Sequence, residues 1–286
     1  MRFYKYQALG NDYIVIPPVD APDGLTAAEI IRICDRHYGV GSDGILLGPL
    51  PSVEANFALR LFNPDGGEFE KSGNGLRIFA RYLWDERLVQ DQPFTIMTPG
   101  GRVTAQVFAQ GRRVQVDMGQ ASFDSIRIPV LGPPREVLDE IIEVAGEQLR
   151  YSAATVGNPH CVVLMDEVNA AMAHRLGPYL EHAPRFPNRT NVQFMQVLDR
   201  NHIRIEIWER GAGYTLASGS SSSASAAVAH RLGLCDNEIN VHCPGGVIKI
   251  AIGGDWSIRM SGAVTKVCAG VLAAEAFDET DMPFQE

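Results

Sequence analysis

The 286-residue chain has no surplus of positive charge: 25 Lys and Arg face 34 Asp and Glu, a formal net charge of −9. Nucleic acid asks for a basic face, so that class of partner is set aside. No apolar run approaches the ~18 residues of a membrane span, and Met1-Arg2-Phe3-Tyr4-Lys5-Tyr6 lacks the apolar core of a secretory signal. The expectation is a cytoplasmic protein without a membrane partner. The cysteines Cys34, Cys161, Cys235, Cys243 and Cys268 are odd in number, scattered and free of any C-x-x-C pair. They suggest neither a disulfide framework nor a metal site, and read as small buried hydrophobes. No G-x-G-x-x-G follows a strand and no P-loop occurs, so nothing calls for a nucleotide. What is present is 45% hydrophobic and 21% charged, ordinary for a globular chain whose length suits two medium domains.

The patterning is mixed, with more strand than helix. Alternating or β-branched runs predict strands over 3–6, 13–16, 58–62, 94–98, 103–108 and 113–118, then 161–164, 192–198, 203–208, 247–252, 256–260 and 264–270. A helix is expected from Thr26 to Tyr38, opened by a Thr26/Glu29 capping box and ended by Gly39. Others are expected after Ser72, over 169–182, and from Ser218 to Gly233; Gly132-Pro133-Pro134 is the best candidate linker.

The chain is internally duplicated. Gly10-Asn11 aligns with Gly157-Asn158 at an offset of 147, Leu59 through Asn63 with Ile205 through Glu209 at 146, Ser72-Gly73 with Ser218-Gly219 at 146, and Thr98-Pro99-Gly100-Gly101 with Cys243-Pro244-Gly245-Gly246 at 145. Two similar halves follow, with an expected pseudo-twofold axis and a site in the cleft between them. Each Ser-Gly pair follows a strand and a turn and opens a helix. Serine there is a good N-cap, and the helix N-terminus offers N–H groups to a carboxylate or an enolate-like oxyanion. Asn63, Glu209, Arg210, Asn11, Asn158 and Asn191 lie near the same points. Asn at strand ends serves turns, but Asn, Glu and Arg together also suit an α-amino acid, with Arg forking its carboxylate.

From Leu9-Gly10-Asn11-Asp12 through Gly41-Ser42-Asp43, Asn63-Pro64-Asp65-Gly66, Ser72-Gly73-Asn74-Gly75-Leu76-Arg77, Gly157-Asn158-Pro159-His160, Thr190-Asn191-Val192, Glu209-Arg210-Gly211-Ala212-Gly213 and Ser218-Gly219, the chain resembles the diaminopimelate epimerases end to end. The resemblance implies an α+β fold of two pseudo-symmetric halves, each a mostly antiparallel sheet or barrel around a central helix. It implies an N-terminal half over 1–120, with room for exchange of the C-terminal strand, and a C-terminal half over 121–286. It implies a cofactor-independent amino-acid epimerase acting on LL- and meso-diaminopimelate, on the pathway to lysine and cell-wall precursors, and a homodimer. By resemblance Ser72 and Ser218 flank the substrate Cα; Asn63, Asn158, Asn191 and Arg210 take the distal amino-acid group; Asn11 and Glu209 sit near the reacting end; and the N–H groups of Gly73, Asn74, Gly219 and Ser220 hold the reacting carboxylate.

The sequence departs from the family where the chemistry lies. The family carries cysteine at both catalytic positions, and here both are serine. A thiol of pKa near 8.5 is readily brought toward neutrality, whereas an alcohol is not. Gly44 stands for the usual glutamine, Tyr214 for the usual glutamate, and Ser220-Ser221-Ser222-Ser223 for a threonine- and glycine-containing pattern. Three explanations compete: a natural relative in which Glu68, Glu70 or Glu209 supplies a base, an amino-acid-binding pseudoenzyme, or deliberate replacement of two thiols. The five remaining cysteines and the accompanying changes at Gly44 and Tyr214 favour a natural variant. A related isomerase or dehydratase acting on another small amino or hydroxy acid is the alternative enzyme reading.

Overall fold

Two runs of paired strands, wired in the same order, account for most of the chain. The computed structural model describes residues 1–277. By contacts it divides into one unit of Met1–Val114 joined by the returning segment from Ala263, and a second of Gln115–Gly262. The first unit contains β1 (Arg2–Ala8), β2 (Asn11–Ile16), α1 (Ala27–Cys34), β3 (Ile45–Leu50), β4 (Phe57–Phe62), β5 (Glu68–Phe69), α2 (Gly73–Asp85), β6 (Phe94–Thr98) and β7 (Gly101–Phe108). Strand β8 (Arg113–Gln120) leads into the second unit, which holds β9 (Glu140–Val144), β10 (Glu147–Thr155), β11 (Pro159–Leu164), α3 (Ala170–Glu181), β12 (Asn191–Asp199), β13 (His202–Glu209), β14 (Gly213–Thr215), α4 (Gly219–Arg231), β15 (Glu238–Cys243), β16 (Gly246–Ile252) and β17 (Ser257–Ala263). Strand β18 (Thr265–Val271) returns to the first unit and pairs antiparallel with β1.

In the first unit the order β18-β1-β2-β3-β4-β6-β7 carries parallel links at β2–β3 and β4–β6, all others being antiparallel. In the second, β9-β10-β11-β12-β13-β15-β16 repeats it, with parallel links at β11–β12 and β13–β15. A parallel neighbour requires a crossover, and the helices supply all four. The fold is the α+β arrangement expected from the sequence, and the duplication reaches to the direction of every strand pair.

Each run of strands packs on a central helix. Helix α2 buries Leu76, Ile78, Phe79, Tyr82 and Leu83 together with the fully enclosed Arg77. Helix α4 is buried on nearly every side, which its serines and alanines allow because they are small. Buried hydroxyls need partners. Ser222 donates to the Ser218 carbonyl at 2.8 Å and Ser223 to the Gly219 carbonyl at 2.7 Å, the backward bond by which serine lives inside a helix. On the crossover helices α1 and α3 two further cores form: Ile14, Ile16, Ile30, Ile33, Ile45 and Phe62 around α1, and Tyr151, Val163, Leu176, Leu180, Val192 and Phe194 around α3. Each such side chain contributes roughly 1.5–3 kcal/mol by leaving water.

Some expectations shift. Helix α1 has the predicted capping box but stops at Cys34, because Asp35 is extended and its carboxylate takes the N–H groups of His37 and Tyr38, each at 2.7 Å. Strands β3, β5, β9, β10, β14 and β15 are additional to the sequence reading. Gly132-Pro133-Pro134 is an exposed turn inside the second unit, not a linker between units. Among the described residues no helix is long and apolar enough to cross a membrane.

Candidate active site

In the first unit, the turn after β4 and the short strand β5 deliver Ser72 to the N-cap of α2. Its backbone is extended and its oxygen accepts the Gly75 N–H at 3.0 Å. Gly73 and Asn74 are therefore the first two helical residues, whose N–H groups have no intrahelical carbonyl to meet. The Tyr13 hydroxyl, on β2, donates to Ser72 Oγ at 3.4 Å. Asn11, at the start of the same strand, is held from two sides: its amide donates to Asp43 at 2.8 Å, and its oxygen accepts from Asn74 Nδ2 at 3.1 Å. Asn74 is itself fixed by Arg77 at 2.5 Å. Behind Asn11, Arg36 bridges Asp12 and Asp43, and Lys5 pairs with Asp12 at 2.8 Å. Burial raises the Asp12 carboxyl, but the bonds from Arg36 and Lys5 outweigh it and hold the group below the usual range. Asn11, Ser72, Gly73 and Asn74 thus form one cluster. Asn63 is exposed in the turn after β4.

The second unit repeats the device with other chemistry. Ser218 caps α4, accepts the Ser221 N–H at 3.4 Å and lies 3.4 Å from the Ser220 hydroxyl. It is only 5% exposed. Burial pushes the Glu209 carboxyl above the usual range, and Ser218 works against the rise. The turn after β13 is pinned at two points. Asn191 accepts the Arg210 N–H at 3.0 Å, and Glu181 accepts the Gly211 N–H at 3.0 Å. Asn191 also donates to the Pro159 carbonyl at 2.9 Å. Asn158 is 2.9 Å from the buried His160 Nε2. Burial, offset in part by Gln193 and reinforced by Arg210, takes His160 down to about 3, so the ring is neutral. Asn191 and the Arg210 backbone thus meet at the turn after β13, Ser218, Gly219 and Ser220 open α4, and Asn158 lies beside His160. The Arg210 head is exposed and donates to the Asn188 carbonyl at 3.1 Å.

Tyr13, Glu181 and His160 are additions to the sequence-derived set. Tyr13 and His160 occupy equivalent positions in the repeat, a signal the alignment of Asn11 with Asn158 already contained. Gly44 has a steric reason. A Cβ there would come within 2.5 Å of the Phe62 carbonyl oxygen and 2.7 Å of Tyr13 Cε1, so the missing side chain makes room for the ring that reaches Ser72. Among the described residues no group of three or more His, Cys, Asp or Glu is placed to hold a metal.

The sequence profile of the family described as Diaminopimelate epimerase matches residues 3–124 and 152–267. Along 277 residues the chain is 60% identical to Diaminopimelate epimerase 2 of Nostoc sp., covering 97% of each protein. The chain belongs to the diaminopimelate epimerase family. The diaminopimelate epimerase of Moorella thermoacetica is 39% identical, with 94% of this chain and 98% of that protein aligned. A solved hydroxyproline epimerase from Agrobacterium vitis, with trans-4-hydroxy-L-proline bound, superposes with a TM-score of 0.66 at 18% identity, over 98% of this chain and 92% of that one, and supports the fold. Within the diaminopimelate epimerase family this chain is thus a serine-bearing member.

Proposed function

We propose that the chain is a cofactor-independent epimerase that interconverts LL- and meso-diaminopimelate in the cytoplasm by moving the proton on one α-carbon. One observation carries the reading: at equivalent points of a repeated topology, each unit sets a serine at the N-cap of its central helix. The identity to the Nostoc relative supports the substrate. Removing an α-proton leaves charge that spreads into the adjacent carboxylate. In the proposed reaction the N–H groups of Gly73, Asn74, Gly219 and Ser220 receive that charge, with the positive ends of α2 and α4 behind them. Ser72 and Ser218 exchange the proton. Asn63, Asn158, Asn191 and Arg210 hold the distal amino-acid group, Arg210 as a fork on its carboxylate, while Asn11 and Glu209 take the ammonium at the reacting end.

The test is chiral chromatography of LL-diaminopimelate incubated with the protein. Conversion to the meso form, with KM raised at least ~10-fold by Arg210→Ala as the loss of a charge-assisted pair implies, is the expected result. Saturable binding without conversion would instead identify an amino-acid-binding protein.

A further inference from the structure

At the surface of the first unit, Arg60 grips Glu68 with two bonds of 2.9 Å. Glu181 is placed otherwise. It is only 4% exposed and is the last residue of α3, where the helix dipole disfavours a carboxylate. A buried carboxylate is costly unless donors surround it, and the donors here share one neighbourhood. Glu181 Oε2 accepts the Trp208 indole N–H at 2.8 Å. Its Oε1 accepts the Gly211 N–H at 3.0 Å and a bond from Arg189 Nη1 at 3.2 Å. Trp208 and Gly211 bracket the dipeptide Glu209-Arg210. Arg189 follows Asn188, whose carbonyl receives the Arg210 guanidinium at 3.1 Å. One carboxylate therefore ties the chain on both sides of Arg210 and beside the carbonyl on which its head rests. One helical turn before Glu181, Gly177 leaves room for the indole, since a Cβ there would come within 2.5 Å of Trp208 Cγ. In the first unit the 146-residue offset sets Asp35 opposite Glu181 and Pro64 opposite Arg210. Asp35 holds instead the N–H groups of His37 and Tyr38 in its own turn. The clamp goes with the arginine.

We propose that Glu181 is a positioning residue for Arg210, fixing the chain on either side of it so that the guanidinium meets an anionic group of the ligand already ordered. The assignment rests on the epimerase reading above, which gives Arg210 the distal carboxylate of diaminopimelate. Glu181 acts through the arginine. A guanidinium left free to move binds a carboxylate more weakly, because ordering it then opposes binding.

Steady-state kinetics with LL-diaminopimelate tests this with wild type, Glu181→Ala, Arg210→Ala and the double variant, the dissociation constant replacing KM if the compound binds without turnover. Glu181→Ala is expected to raise KM at least ~10-fold in the otherwise wild-type protein, the scale of a lost charge-assisted bond, and less than ~2-fold in the Arg210→Ala protein, because residues that act through one another are not additive. A role in folding alone would lower kcat through loss of active protein and leave KM in place. An unchanged KM, or an equal rise in both backgrounds, would overturn the assignment. Should Glu181→Ala fail to fold, Glu181→Gln is read in the same way, since the amide keeps one acceptor oxygen for donors that now lie at two. If wild type neither converts nor binds the compound, the epimerase reading falls, and the clamp is decided separately by ¹⁵N NMR of the unliganded protein. Faster motion of the Arg210 Nε–H group in Glu181→Gln upholds the clamp, and unchanged motion overturns it.

Discussion

At Gly44 one absent carbon decides where a phenol can go. Gly44→Ala would bring its Cβ within 2.7 Å of Tyr13 Cε1 and 2.5 Å of the Phe62 carbonyl oxygen, and the backbone atom cannot swing aside. The variant is expected to lose about 1–3 kcal/mol, the usual cost of overpacking, and a denaturant midpoint measurement would show it. The serines make a second prediction. Restoring sulfur with Ser72→Cys and Ser218→Cys should raise turnover at least ~10-fold, since a thiol is the better proton carrier near neutrality; a steady-state assay checks it. Both serines were legible because serine caps helices and because the repeat made them a pair. Glu181, which fixes Gly211 from 30 residues away, was not, since no local pattern announces a contact between a helix end and a distant turn. Tyr13 lay between: its equivalence to His160 was visible, but the steric allowance at Gly44 that gives it a role was not.

Among the elements, the β1–β2 pair shows how charge holds a strand end in place. Asp12 is paired with Lys5 and Arg36, and its side chain is 13% exposed. Its folded-state pKa is lowered, so the pairs stabilise fully above the unfolded carboxyl value of about 3.9, and that stabilisation is lost as pH falls through the folded value. Asp12→Asn should cost about 1–3 kcal/mol at pH 7, the range for charge-assisted bonds. The gap from wild type should close as pH drops below ~4. Thermal melts across that range test both statements. Strand legibility followed local chemistry. The β9–β10 hairpin turns on Ala145 and Gly146, both at positive φ, and alanine is no turn signal, so both strands went unread. In β3 the Gly48-Pro49 pair masks a strand whose register shifts between Leu47 and Leu50. Strand β15 is different: Ile239, Val241 and Cys243 alternate inward, so its signal was present in the sequence.

For the whole molecule, the lesson is that duplication preserved topology while chemistry diverged. The two units share strand order, crossover helices and N-capping serines, yet Asn63 faces Glu209 in the repeat, Tyr13 faces His160, and Arg77 faces Ser223. Alignment of the halves exposed the architecture because strand and turn patterns are local and recur. It could not rank Glu68, Glu70 and Glu209, because that depended on which carboxylate an arginine had already taken. The central claim is that a serine-bearing member of the diaminopimelate epimerase family still breaks the Cα–H bond. Proton NMR of LL-diaminopimelate in D₂O tests it most directly. The account predicts that wild type erases the α-proton signal and that Ser218→Ala slows this at least ~100-fold, the scale of a lost proton-transfer group. A signal that persists at high protein concentration, beside demonstrable binding of the same compound, would contradict it.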